Sequence, residues 1–357
     1  MKHIHWYILA LAAVLLAGCS KESGGEIIVP DAPQQNGYTP STTPVGFAAG
    51  GDFEGGVDDG WKPVSKVVGK TRAGSDFEVG SVIGVFGYYT GTNTWEDADD
   101  TTTPNFMYNE DVEKGASAWG YSPQKYWPNS TTENLSFFAY YPHTNLLKNY
   151  FGSDIISFPE NTTPGVPAIT YNAPATNYGS KVDFLYATAL DQTKNEGTVS
   201  LQFKHLMAKV QFKFTPDGAE SVLVKSVGFN VPDTAKFSYT ENNDGLPVWS
   251  SVKGTHSIKQ EASGDGISIT NSSTAPIEEF TQYVLPCSLN TINLRISTDG
   301  HTYTDVPVTP APPISLVAGK VTTVSFTISI KGITVTATAH PWTPVVIEPP
   351  VFKPNEE

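Results

Sequence analysis

Cysteine is nearly absent. Cys19 and Cys287 are the only two in 357 residues, so neither a disulfide framework nor a cysteine-rich metal site can be built and the core stands on packing. Charge is scarce at 16% of residues, and positive charge scarcest: 22 Lys and Arg against 36 Asp and Glu leave a formal net charge of -14. Such a chain repels a phosphate backbone or an anionic lipid surface, which excludes nucleic-acid binding. Beyond residue 17 no apolar run approaches the about 20 residues a spanning helix needs. No long apolar stripe at helical spacing follows either, which excludes a helix bundle. What is plentiful is Gly (31), Pro (27), Phe (18), Tyr (16), Ser and Thr, the balance of a turn-rich β protein. The length suffices for roughly two to three domains, each with its own core.

The N-terminus reads as an address. Lys2, His3 and His5 precede a continuous apolar run over residues 6–17, too short to cross a bilayer and of the length of a signal-peptide core. It ends in Leu16-Ala17-Gly18-Cys19, which resembles the bacterial lipobox, where the cysteine is acylated and becomes the first residue. Residues 1–18 are therefore expected to be a lipoprotein signal peptide and Cys19 the lipidation site. Acyl chains contribute about 0.8 kcal/mol of membrane binding per buried methylene. Residues 19–44, rich in Gly, Pro, Thr and Gln, are expected to be a flexible tether, with regular structure beginning near Val45.

From there on, short β-branched or aromatic runs are broken by Gly, Pro, Asn and Asp at the spacing of β-sandwiches. Residues 82–89, 135–141, 199–203, 208–214, 222–230, 267–270, 281–286, 292–297, 321–330 and 333–339 are predicted strands. In 210–214, Val210, Phe212 and Phe214 share one face while Gln211 and Lys213 share the other, the pattern of a strand with one wet side. Asp217-Gly218, Asp244-Gly245 and Asp299-Gly300 supply the positive-φ dipeptide that tight hairpins favour, the last most clearly. There is no convincing internal repeat. The polar stretch 191–197 is the best boundary, giving an N-terminal β-sandwich domain over 45–190, a C-terminal one over 195–342, and a Pro-rich tail over 343–357.

Catalytic chemistry finds little support. The seven histidines show no HExxH or other metal spacing, and no nucleophile elbow, phosphate-binding loop or dinucleotide fingerprint appears. His205 lies in a strand-like run and reads as a packed or edge residue. Glu96, Asp97, Asp99 and Asp100 have carboxylates enough for calcium but lack the ordered glycine-containing loop of an EF-hand, and read as a solvated loop. The aromatic clusters Tyr88-Tyr89, Trp119 with Tyr121, Tyr126-Trp127 and 137–141 have strand spacing and read as core, with a sugar-stacking platform as the alternative. No enzyme activity, cofactor or metal is expected.

The order of motifs after the lipobox resembles the fimbrillin-like, Mfa-type (type V pilin) family of Bacteroidetes. Its carriers are Thr71-Arg72-Ala73, the run Phe77-Glu78-Val79-Gly80-Ser81-Val82 through Tyr89, Tyr126-Trp127-Pro128, Leu135 through Pro142, Asp183-Phe184-Leu185-Tyr186-Ala187, Phe203 through Val210, Tyr283-Val284-Leu285-Pro286, and Pro341-Trp342. Ser81 departs from the aspartate expected after the glycine. The resemblance implies an all-β fold of two transthyretin-like β-sandwich domains in tandem. It further implies a structural pilin subunit of surface fimbriae, made as a lipoprotein precursor at the outer membrane, with other pilin subunits as partners. In such pilins a trypsin-like protease cuts after an arginine, the N-terminal strand leaves, and an extended segment of the next subunit, usually C-terminal, fills the groove. Here Arg72-Ala73 is the candidate scissile bond, with Lys70 next, and Val45, Phe47 and Ala49 mark the removable strand. Val345, Ile347, Val351 and Phe352 are the candidate donor residues. Pro344, Pro349, Pro350 and Pro354 lack an N–H, so the tail either pairs discontinuously or forms a polyproline-like extension. Asp233-Thr234-Ala235 resembles the O-glycosylation sequon of these bacteria. Adhesion or biofilm formation is the implied role. A surface glycan-binding lipoprotein is the alternative, and a carbohydrate-active enzyme comes third.

Overall fold

The computed structural model describes residues 38–51, 77–151, 153–174, 182–218, 221–270, 275–329 and 332–342. Their regular structure is almost entirely strands; the longest helix is Thr144–Phe151. A seven-stranded sheet runs in the order Phe47–Gly51, Val199–His205, Leu185–Gln192, Asn134–Tyr141, Val82–Gly91, Met107–Lys114, Trp119–Gly120. Its central strands are buried on both faces, which is why 137–141 is a continuous apolar and aromatic run and not an alternating one. Phe137 and Ala139 enter one core with Val45, Phe47, Ile83, Val85, Trp127 and Leu201, while Phe138 and Tyr140 enter another on the opposite side.

In the later part of the chain, a four-stranded sheet has the order Gln282–Val284, Ala208–Pro216, Lys320–Ser329, Gly332–Pro341. A second sheet runs His256–Glu261, Val222–Val231, Ile292–Ser297, Thr304–Val308, with Ile267–Ile269 also paired to Val222–Val231. Between them lies an aliphatic and phenylalanine core that includes Val210, Phe212, Phe214, Val224, Val227, Ile292, Leu294, Val324 and Phe326. Fully burying side chains of this kind stabilises by about 1.5–3 kcal/mol each before ordering costs.

A third core joins the two parts. The sheet Pro247–Lys253, Thr234–Glu241, Ile169–Asn172, Ile156–Ser157 takes two strands from each side of residue 200, and it packs Ala235, Phe237 and Trp249 against Phe138, Tyr140 and Tyr186. The described residues cluster as one compact unit.

Three expectations are revised. Among the described residues, regular structure starts at Pro40, since Pro40–Pro44 pairs with Tyr126–Pro128; a two-stranded ladder with proline at its rim tolerates the missing N–H groups, so residues 40–44 are not tether. The polar stretch 191–197 connects two neighbouring strands of one sheet, because Val199–His205 pairs with Leu185–Gln192. The passage to the next sheet comes at Leu206 and Met207. Asp217-Gly218 is no hairpin, for the strands before and after it lie in different sheets. Asp244-Gly245 and Asp299-Gly300 do join paired strands. At the latter, Asp299 Oδ1 accepts from the N–H groups of His301 (2.8 Å) and Thr302 (2.7 Å), bonds that hold its carboxyl far below the usual range.

Candidate functional site: the two terminal edge strands

Phe47–Gly51 is an end strand of the seven-stranded sheet and pairs in parallel with its neighbour, Val199 opposite Phe47 through Phe203 opposite Gly51. Other pairings in this sheet are antiparallel. The parallel direction follows from its origin: it comes from upstream, not from a hairpin with the strand it joins. Its side chains alternate, with Val45, Phe47 and Ala49 buried and Ala48 exposed. The Phe47 ring lies edge-on to Phe137 at 5.4 Å and tilted on Tyr121 at 5.6 Å.

The segment leading in is held by backbone groups. Val45 donates to the Lys125 carbonyl (2.9 Å), Val199 donates to the Gly46 carbonyl (2.9 Å), and the Val45 carbonyl accepts from Tyr121 Oη (2.8 Å) and Gln124 Nε2 (3.0 Å). Burial pushes the Tyr121 hydroxyl up to about 12, so it remains a donor across the ordinary pH range. Upstream, Tyr38 packs edge-on against Tyr89 (5.4 Å) and Phe106 (5.7 Å).

At the other terminus, Gly332–Pro341 is the end strand of its sheet and pairs over its whole length with Lys320–Ser329. On the core-facing side Ile333 and Val335 are half-buried, whereas Ala337 and Ala339 are exposed. The strand is held mainly by its backbone ladder and ends at the buried Trp342.

Cys19, Lys70, Arg72, Ala73, Val345, Ile347, Val351 and Phe352 lie outside the described residues. Val45, Phe47 and Ala49 are brought together with the core as above. His205 is buried, with Nδ1 2.8 Å from Asp183 Oδ2. Of the acids near residue 97, Glu96 and Asp97 belong to one helical turn, Trp95–Ala98, with Asp99 as its C-cap and Asp100 in the turn that follows; Thr94 Oγ1 accepts from the Asp97 N–H (3.3 Å) and donates to its carboxylate (2.7 Å). Among the described residues no group of three or more His, Cys, Asp or Glu is placed to hold a metal ion, and no helix is long and apolar enough to cross a membrane. The aromatic clusters lie mostly in the core: Tyr88, Trp127, Phe137 and Tyr140 are each at most 1% exposed, while Tyr89, Tyr121 and Tyr126 are half-buried. Sequence reasoning missed the partners of His205 and the pairing of buried His143 with the exposed Asp111 carboxylate (2.9 Å). Only the Pro341-Trp342 pair carried a signal.

With this geometry in place, the comparison with known proteins is decisive, for the fimbrillin-like family matches residues 71–342. The chain belongs to that family. The family is one of fimbrial structural subunits and not of enzymes. It is 31% identical over 151 residues to the fimbrium subunit Fim1C of Phocaeicola vulgatus, a match covering 40% of this chain and 39% of the relative; the chain thus spans about two fifths of that relative's length. A solved fimbrial protein from Bacteroides vulgatus superposes with a TM-score of 0.50 at 21% identity, over 73% of this chain and 93% of the other. A candidate cell adhesion protein from Bacteroides uniformis gives a TM-score of 0.50 at 16% identity, over 85% and 100%. These likenesses show the fold. The fimbrillin-like match begins one residue before Arg72, so the edge strand Phe47–Gly51 precedes it.

Proposed function

We propose that this fimbrillin-like chain is a structural subunit of surface fimbriae, made as a precursor anchored at the outer membrane by lipid on Cys19 and matured by a trypsin-like protease at Arg72-Ala73. It then assembles with other pilin subunits by strand exchange and serves adhesion or biofilm formation. Its body is two transthyretin-like sandwiches in tandem. The observation that carries this reading is the edge strand Phe47–Gly51, buried through Val45, Phe47 and Ala49, whose only covalent link to the later chain passes through residues 52–76 and so through Arg72.

A cut there removes the strand's covalent tie. Its departure leaves the N–H and C=O row of Val199–Phe203 unpaired and opens pockets beside Phe137 and Tyr121, a template that an extended segment of a second subunit completes. Reburying a phenylalanine and a valine contributes about 1.5–3 kcal/mol each, and the backbone ladder adds to it. Such a contact is head-to-tail and need not close on itself, which favours filaments over rings. The donor is the tail, through Val345, Ile347, Val351 and Phe352, which follows the exposed edge strand Gly332–Pro341 and Trp342 in the chain. The glycan-binding alternative gains little from the aromatic clusters, most of whose rings are core.

Digestion of the purified precursor with a trypsin-like protease, followed by N-terminal sequencing and electron microscopy, tests the scheme. The expected result is a product beginning at Ala73 that forms fibres, and a chain lacking residues 345–357 that stays monomeric after the same cut. A product with another N-terminus refutes the processing site, and unaltered fibres from the truncated chain refute the donor.

A further inference from the structure

The two terminal edge strands meet at one aromatic contact. His205 is the last residue of Val199–His205, the strand whose earlier residues carry Phe47–Gly51. Trp342 directly follows Gly332–Pro341. The rings of His205 and Trp342 lie flat on one another, 3.6 Å between centroids and 3° from parallel. Tyr283 stacks on the same indole at 5.6 Å and 18°, and Lys209 Nζ sits 5.6 Å from the indole centroid, within the range of a cation–π contact. Asp183 Oδ2 fixes the imidazole through Nδ1 at 2.8 Å.

This contact is the main side-chain hold on the last strand. From Gly332 to Trp342 only Trp342 is buried; Ile333 and Val335 are half-buried and the rest are exposed. It is also a contact that opening to water relieves. Asp183 Oδ1, His205 Nε2 and Trp342 Nε1 are buried with no hydrogen-bond partner among the described residues, and burying such groups unpaired is costly. By contrast, Trp249 Nε1 donates to the Leu206 carbonyl at 2.8 Å.

We propose that Trp342 seated on His205 is a clasp that couples the two edges of the molecule: while Val199–His205 is held between its neighbours, the clasp keeps the C-terminal strand folded back, and loosening either edge loosens the other. The consequence for assembly rests on the reading that Phe47–Gly51 leaves on maturation. Its loss frees one side of the strand that carries His205, the seat of Trp342 loosens, and the C-terminal segment becomes available only in a cut subunit. An uncut precursor is thereby kept from donating.

Hydrogen exchange read by mass spectrometry on the full, uncut chain tests the coupling without relying on maturation. In Trp342→Ala, exchange is expected to rise at least ten-fold both in Gly332–Pro341 and in Val199–His205, while Asn134–Tyr141 keeps the parental rate. Acceleration confined to Gly332–Pro341 overturns the coupling, and parental rates in that strand overturn the clasp itself. Should the alanine variant lose its fold throughout, Trp342→Phe and His205→Gln decide by the same criteria: the phenylalanine ring is expected to restore most of the protection, and His205→Gln, which keeps a donor for Asp183 without the flat ring, to reproduce the loss. Protection equal to the parent in His205→Gln refutes the stack as the coupling element. Failure of the maturation reading appears elsewhere, as a digest whose product does not begin at Ala73, and leaves the exchange result standing.

Discussion

His143 shows how one buried ring sets a pH dependence. It is 1% exposed, with Nδ1 accepting the Asn145 N–H at 3.2 Å at the start of the helix Thr144–Phe151 and Nε2 2.9 Å from Asp111 Oδ1. An imidazole that accepts at one nitrogen and donates at the other is neutral. Burial lowers its pKa from the ordinary value, against the opposing pull of Asp111. The folded pKa lies below the unfolded one, so the contribution of His143 is complete above about pH 6.5 and is lost as pH falls through the folded pKa. Between pH 7.5 and 5 the denaturation midpoint of the parent is therefore expected to fall further than that of His143→Asn, whose amide oxygen still caps the helix but does not titrate. Equal falls in the two proteins contradict the assignment. At this scale the sequence was legible where a residue's role is local: His205 reads as packed, and it is. Its seat was not legible, because Asp183 and Trp342 reach it only through the pairing of distant strands. Likewise Gly84 sits where an added Cβ would lie 2.0 Å from Tyr140 Cε1, a close approach that a lone glycine in a strand hints at without naming the partner.

Among elements, the apolar runs were legible and the polar strands were not. The predicted strands at 82–89, 135–141, 208–214, 222–230 and 292–297 correspond to Val82–Gly91, Asn134–Tyr141, Ala208–Pro216, Val222–Val231 and Ile292–Ser297, because both-sided or strictly alternating burial writes itself into hydrophobicity. Met107–Lys114 escaped. Its sequence MYNEDVEK is mostly charged or polar, and only Met107 and Val112 are buried; it exists because Val82–Gly91 offers it a ladder. The edge strand Phe47–Gly51 is a third case, a weak alternation of Phe and Ala with glycines, whose stability comes from its slot more than from propensity. Phe47→Ala is accordingly expected to lower the unfolding free energy by about 3 kcal/mol, the ordinary cost of removing a buried phenylalanine. Ala48→Ser, on the exposed face of the same strand, is expected to stay within about 0.5 kcal/mol. Urea titrations of both variants check this, and an equal effect from the two sinks the claim that the strand is held through its inner face.

For the whole molecule, the sequence suggests two β bodies in series, yet the third core binds them through side chains from both. Phe138, Tyr140 and Tyr186 of the seven-stranded sheet pack with Phe237 and Trp249, Tyr186 lies 4.7 Å from Phe237, and Tyr186 Oη donates to Glu241 at 2.9 Å. Aromatic groups of this size bury about 150–250 Å² each, so separating the bodies exposes an area comparable to losing part of either core. Composition cannot reveal this, because an aromatic that packs between bodies has the same spacing along its strand as one that packs within. The physical consequence is cooperativity: neither body can unfold without uncovering the surface that stabilises the other. Calorimetry of the full chain is therefore expected to give one transition with equal calorimetric and van't Hoff enthalpies, coincident with the loss of near-ultraviolet circular dichroism. Phe237→Ala, which hollows the shared core at a residue 0% exposed, is expected to lower that single transition by about 3–5 kcal/mol of stability without splitting it. Two resolved transitions in the parent would show that the shared aromatic core does not couple the bodies; two in the variant alone would show that Phe237 is the residue on which the coupling depends.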